Sequence, residues 1–174
     1  MLTLLLDSAN EYLSVGFVKD GELVFSFHEK AWQKQSELMV DVIDKAMKQN
    51  GWTRKHLDQV MVGIGPGSYT GVRIALTVAK VMAIALTIPM IPVSSLHILS
   101  DAKLPSIVLI NARSGRSYFG VFHGDKVLVE DSIMTNEEVI AYLKKHSDYV
   151  LCGDLEYLQP EGEMNNPLLR MKEM

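Results

Sequence analysis

The feature that most restricts the fold of this chain is a self-similarity at a fixed spacing. Lowering each position by 104 lays residues 108–128 on residues 4–24 without a gap. Leu109 then falls on Leu5, Asn111 on Asp7 and Gly120 on Gly16, and apolar residues meet at 108/4, 110/6, 119/15, 121/17, 122/18, 127/23 and 128/24. The turn dipeptides Asp20-Gly21 and Gly124-Asp125 also coincide. One hairpin can be slid onto almost any other. Here each copy continues into a helical pattern and then an apolar strand, so the sequence predicts an internal duplication. The expected halves are residues 1–103 and 104–174.

Within the first half, alternation and β-branched content predict strands over Leu2–Leu6, Tyr12–Lys19 and Glu22–His28. A helix is predicted from Ser36, as N-cap, to Asn50, with Leu38, Met39, Val42, Ile43, Ala46 and Met47 forming a broad apolar face. An apolar strand Gln59–Gly65, a helix Gly71–Thr87, a strand Met90–Val93 and a short helix Ser95–Ala102 follow. The second half predicts strands over Ser106–Asn111, Tyr118–His123 and Lys126–Ile133. Thr135 and Glu138 form a capping box for a helix running to about His146, and Tyr149–Gly153 reads as a further strand. The last 20 or so residues carry no period.

Composition narrows the functional classes. A 174-residue chain that is 48% hydrophobic and 22% charged is neither disordered nor fibrous, and can bury a sizeable core. A net charge of −4 lacks the basic surplus of a stand-alone nucleic-acid binder. Arg54-Lys55, Arg113, Arg116 and Lys144-Lys145 are dispersed, so weak binding of RNA by the chain alone is expected. The single Cys152 rules out a disulfide framework and fits a reducing cytosol. No positive n-region precedes the short apolar run at the N-terminus, which argues against a signal peptide. Val72 to Val93 is apolar, but Arg73 and Lys80 interrupt it and the run Val81–Met90 is about half of the ~20 residues a bilayer requires, so no membrane span is expected. His28, His56, His97, His123 and His146 are isolated in sequence and predict neither a metal site nor a peptidase.

Two linked βββαβα halves, each with an acid or amide closing its first strand, are how the actin-like ATPase (ribonuclease H-like) α/β fold is built. There, backbone N–H groups of the two openings hold phosphate and the acid holds Mg²⁺. Here the first opening is Asp7-Ser8-Ala9-Asn10-Glu11, without glycine, and the second is Asn111-Ala112-Arg113-Ser114-Gly115, where the acid is an amide. Both read as degenerate phosphate loops on a retained scaffold, with no cofactor.

Between an apolar strand and an apolar helix lies Gly65-Pro66-Gly67-Ser68-Tyr69-Thr70-Gly71-Val72-Arg73. No Lys follows Gly71, so this is not a Walker A loop. Gly-x-Gly-x-x-x-Gly is a weak dinucleotide signal, and the acid expected about 20 residues later is missing. Three readings remain. The glycines form a tight turn with Ser68 or Thr70 capping the helix; an anion sits on the helix N-terminus; or Ser68 or Thr70 is a nucleophile, for which no activating His or Asp lies nearby in sequence.

This run, with Ala79-Lys80, Ile88-Pro89, Val93-Ser94-Ser95-Leu96, Ser36-Glu37-Leu38 and Asn111-Ala112-Arg113-Ser114-Gly115, resembles the bacterial TsaB (YeaZ) family over about residues 1 to 155. The resemblance implies a non-catalytic member of the actin-like fold, without cofactor, that binds and supports a TsaD-like catalytic subunit. With a TsaE-like ATPase and the threonylcarbamoyl-adenylate made by TsaC, that complex places threonylcarbamoyl on adenosine 37 of tRNAs reading codons that begin with A. It leaves a homodimer open when the chain is alone, brings tRNA in only through the complex, and implies a cytoplasmic protein. Asn111 departs from the Asp of many relatives, and the second half is short. The contrasting reading is a small nucleotide-binding phosphotransfer enzyme using Asp7, the Gly65–Gly71 loop and Arg113.

The helix Gly71–Thr87 carries the remaining signal. Arg73, Thr77, Lys80 and Thr87 share one narrow stripe and nearly every other residue is apolar. Ala75, Ala79 and Ala83, four apart, permit a close helix crossing. One sheet consumes one face only, so a helix-to-helix interface is expected over Leu38, Met39, Val42, Ile43, Ile74, Ala75, Val78, Ala79, Val81 and Met82.

Overall fold

The computed structural model describes residues 1–158 apart from Trp32. The expectation for the final stretch, 159–174, lies outside the described residues. The chain forms two compact units, Met1–Ser95 and a second that starts at Leu96.

In the first unit, β1 (Leu2–Asp7), β2 (Tyr12–Lys19) and β3 (Glu22–Lys30) form an antiparallel meander. Asp20 and Gly21 turn it at φ of 51° and 89°, as the dipeptide predicts. Next come α1 (Gln35–Gln49), β4 (Gln59–Gly63), α2 (Tyr69–Leu86) and β5 (Met90–Val93). The sheet order is β3-β2-β1-β4-β5, with β4 and β5 parallel to β1. Leu2, Leu4 and Leu6 alternate onto one face with Leu13, Val15, Phe17, Val60 and Val62, and both helices cover that face.

One predicted cap is corrected. Lys34, not Ser36, precedes α1, and no side chain caps it. The helix starts two residues earlier because Gln35 is buried and its Nε2 donates to the Asn10 carbonyl at 2.7 Å. That contact outweighs the local capping preference.

The second unit begins with α3 (Ser95–Ile98), whose first residue still belongs to the first unit. Then follow β6 (Ser106–Arg113), β7 (Arg116–His123), β8 (Lys126–Thr135), α4 (Asn136–Lys145) and β9 (Val150–Gly153), in sheet order β8-β7-β6-β9. The capping box forms as predicted: Thr135 Oγ1 accepts from the Glu138 amide, and the Glu138 carboxylate accepts from the Thr135 amide. A further 3₁₀ turn, Glu156–Leu158, follows β9.

The duplication is real, but the gapless overlay is not. Leu4 pairs with Phe17 and Leu6 with Val15; Ile107 pairs with Val121 and Leu109 with Phe119. The β7 residues lie 104 beyond their β2 counterparts, whereas the β6 residues lie only 103 beyond theirs. An extra residue in the second turn, with a register shift between Asn111 and Arg113, absorbs the difference. By pairing, the counterpart of Asp7 is therefore Ile110, not Asn111.

Candidate functional site

The end of β1 and the glycine loop before α2 form one fitted structure. Asp7 is buried; its Oδ1 accepts from the Ala9 amide at 3.0 Å and its Oδ2 from the Ser95 hydroxyl at 2.6 Å. Ser95 Oγ in turn accepts from the Gly65 amide at 3.1 Å, and the Ser95 amide donates to the Gly65 carbonyl at 2.8 Å. The Ser68 amide donates to the Ala9 carbonyl at 2.6 Å, and Ser8 Oγ donates to the Gly71 carbonyl at 2.7 Å. Glycines four apart make room for this. A Cβ on Gly63 would lie 1.8 Å from Asp7 Oδ2, one on Gly67 2.3 Å from the Ala9 oxygen, and one on Gly71 1.9 Å from the Ser8 oxygen.

Of the loop readings, the structure supports the turn. Ser68 is the N-cap of α2, its hydroxyl accepting from the Gly71 amide at 3.3 Å, and Gly65 takes φ of 91°. The Gly65, Ser68, Gly71 and Val72 amides all have partners within the chain, while the Ser8 and Ala9 carbonyls face the loop. An anion lodged there would meet carbonyl oxygens. Ser68 Oγ serves the cap; Thr70 is exposed. Tyr69 is exposed as well, with the Arg73 guanidinium 5.2 Å from its ring centroid. Pro66 is half-buried and follows Gly65 through a cis peptide.

The second opening differs. Asn111 is exposed, and its Oδ1 accepts from the Arg113 amide at 2.8 Å, the same local turn that Asp7 makes with Ala9. Arg113 is exposed at φ of 63°. Ile110, the pairing counterpart of Asp7, packs with Leu96, Val108 and Phe122. Among the described residues no three His, Cys, Asp or Glu side chains gather as metal ligands.

Burial opposes the remaining bonds of Asp7 and raises its pKa above the usual carboxylate range, against the lowering from Ser95, Ala9 and His28. A folded-state pKa above the unfolded one stabilises the fold fully at low pH, and that contribution is lost as pH rises through the raised value. Asp7→Asn has no such titration. The difference in melting temperature between Asp7→Asn and the native chain should therefore move in the variant's favour as pH is raised from about 4 to 7; a constant difference across paired thermal melts would contradict this reading.

The expected interface divides in two. Met39, Val42, Ile43, Ala75 and Ala79 are buried in the first unit's core and offer no surface. The Ala75–Ala79 stripe does permit a close approach, but to the sheet of its own unit. Leu38, Ile74, Val78 and Met82 are half-buried at the edge of that core, and Val81 is 62% exposed. Ile84, which the sequence reading missed, is 80% exposed one turn beyond Val81; its signal was its place in the Arg73–Thr77–Lys80 sector of the wheel. By length and composition α2 could cross a membrane, yet it lies on the sheet through Gly71, Ala75 and Ala79. Ser95 was also missed as a site residue, because a serine opening a short helix has no local mark of a tertiary role.

The family model described as TsaD, tRNA N6-adenosine threonylcarbamoyltransferase, matches residues 28–150. The tRNA threonylcarbamoyladenosine biosynthesis protein TsaB of Buchnera aphidicola subsp. Schizaphis graminum is 28% identical, over 88% of this chain and 78% of that protein. TsaB of Haemophilus influenzae is 31% identical over 72% of this chain and 56% of its own length. YeaZ from Pseudomonas aeruginosa superposes with a TM-score of 0.72 at 25% identity, over 78% of this chain and 68% of that one. This chain belongs to the TsaB (YeaZ) family. TsaB relatives carry their name from the biosynthesis of threonylcarbamoyladenosine in tRNA, and this chain shares the α/β fold of YeaZ, with the two sheets and repeated strand–helix order read from the sequence. The chain spans a little over half the length of the Haemophilus TsaB.

Proposed function

We propose that this chain is a non-catalytic partner subunit in threonylcarbamoyl modification of adenosine 37, in tRNAs reading codons that begin with A. It acts in the cytoplasm by binding and supporting a TsaD-like catalytic subunit, alongside a TsaE-like ATPase, and reaches tRNA through that complex.

The observation that carries this reading is the surface of α2. Its helix has 18 residues and no acid, yet only Gly71, Ala75 and Ala79 are buried. Val81, Ile84 and Ala85 form an apolar outer strip beside exposed Arg73 and Lys80. Neighbouring α1 exposes Glu37, Asp41 and Asp44 together with Lys45 and Lys48, and Lys48 pairs with Asp44 at 2.7 Å. An exposed apolar strip of this kind suits a second helix layer of the same build. The TsaD family model matches this chain across both helices, which supports a TsaD-like subunit as the source of such a layer.

The test is the double variant Val81→Glu/Ile84→Glu, assayed by pull-down of the TsaD-like subunit and by mass spectrometry of threonylcarbamoyladenosine in tRNA. Hot-spot residues at an interface contribute about 2 kcal/mol or more each, so partner capture and modification should both fall at least about 30-fold while the thermal melt stays unchanged. A folded double variant that binds and supports modification normally sinks the proposal.

A further inference from the structure

We propose that Asp7 is a positioning residue: it braces the Gly65–Gly71 loop from beneath and thereby fixes the start of α2, the helix that carries the partner surface. The inference rests on the partner reading for its functional consequence, but not for the brace itself.

Asp7 occupies the strand end where an actin-like ATPase would hold metal and phosphate, and here the chain's own loop fills that place. Its carboxylate joins three segments. Oδ1 fixes the turn to Ala9, whose carbonyl accepts from the N-cap residue Ser68. Oδ2 takes the Ser95 hydroxyl, and Ser95 holds Gly65 by both its side chain and its backbone. The fit is close because Gly63 approaches Oδ2 without a side chain, and Gly67 and Gly71 approach the carbonyls of Ala9 and Ser8. Thus one buried side chain reaches Gly65 and Ser68, on either side of Pro66 and Gly67, each through a single intermediate. Functional surfaces need such support, because a loosely held element loses its preorganisation. The bond to Ala9 does not require a charge: Asn111 makes the same turn to Arg113 with an amide.

The test uses Asp7→Ala, Asp7→Asn and Ser95→Ala in the full chain, read by amide hydrogen exchange and by affinity for the TsaD-like subunit. In Asp7→Ala the amides of Ala9, Gly65 and Ser68 should exchange about tenfold faster, as expected for loss of buried hydrogen bonds, while Ile43 and Ala46 in α1 keep their protection. Partner affinity should fall by about tenfold as the surface loses its fixed start. Asp7→Asn should hold Ala9 and remain within about threefold of the native affinity. Ser95→Ala should loosen Gly65 selectively, and it decides the matter should Asp7→Ala not fold. Unchanged loop exchange in folded Asp7→Ala or Ser95→Ala overturns the brace. Exchange that rises equally in α1 reduces Asp7 to general stability and also overturns it. A loosened loop with native partner affinity overturns the positioning role. If the Val81→Glu/Ile84→Glu variant still binds while the loop loosens as expected, the partner surface is misplaced and the brace stands.

Discussion

Ala79→Glu should unfold the first unit, whereas Val81→Glu, two residues along the same helix, should leave its melting unchanged. Ala79 has no solvent exposure and sits with Ala75 among Leu4, Val60, Val62 and Met39 in one core. A glutamate there must bury a carboxylate without a partner, at about 3–5 kcal/mol, and force its extra volume between helix and sheet at a further 1–3 kcal/mol. Domain stabilities are about 5–15 kcal/mol, so a unit in the lower half of that range is left with little or nothing. Val81 is 62% exposed, and a surface substitution usually changes stability by less than about 0.5 kcal/mol. Circular dichroism melts of both variants check this directly. A cooperative melt for Ala79→Glu close to that of the native chain would mean that the Ala75–Ala79 stripe does not face the sheet.

The second large effect is expected at Gly71, where two rules oppose each other. Gly71 lies in the first turn of α2, and helix propensity favours alanine over glycine by about 1 kcal/mol. Its Cβ, however, would stand 1.9 Å from the Ser8 carbonyl oxygen and 3.0 Å from its carbon, so backbone must move. Displacing that strand end also strains the Ser8 hydroxyl bond to the Gly71 carbonyl and the Ala9 bond to Ser68. Overpacking alone typically costs about 1–3 kcal/mol, and each strained hydrogen bond about 1 kcal/mol more. Net destabilisation of Gly71→Ala by about 2 kcal/mol or more is the expected outcome of urea denaturation. Gly51→Ala is the comparison: nothing lies near its Cβ, and only φ of 66° opposes the change, at about 1 kcal/mol. A Gly71→Ala variant more stable than Gly51→Ala would show that propensity outweighs the close approach.

These cases show which parts of the molecule were legible in the sequence. Local chemistry read well: the Asp20-Gly21 turn, the Thr135–Glu138 capping box and the Ser68 cap are each decided within four residues. The βββαβ order of each unit also followed, because strand and helix periods differ strongly. What the period could not decide was which apolar face of α2 meets the sheet. Large residues such as Val81 and Ile84 looked no more exposed than Ala75 and Ala79, yet the small residues go inward because they allow a close helix–sheet approach. The start of α1 failed for a different reason: Gln35 is fixed by Asn10, a residue 25 positions away. Asp7 was legible as a remnant, while its ties to Ser95 and the glycine loop depend on residues 56 to 88 positions distant, which spacing alone does not bring together.

The single extra residue in the second hairpin has a lasting effect on what this protein can become. Side chains on a strand alternate between faces, and with the extra residue taken up in the turn Ile107 and Leu109 keep the inward places of Leu4 and Leu6. At the place matching Asp7 the second unit now holds Ile110 in an apolar cluster, and Asn111 has swung to the surface. A single substitution does not supply a second acid with partners. Asn111→Asp would put an acid in water, and Ile110→Asp would bury one among Leu96, Val108 and Phe122. A paired carboxylate site would need, besides an acid at 110, hydrogen-bond donors in place of that apolar cluster, as the Ala9 amide and Ser95 hydroxyl serve Asp7 in the first unit.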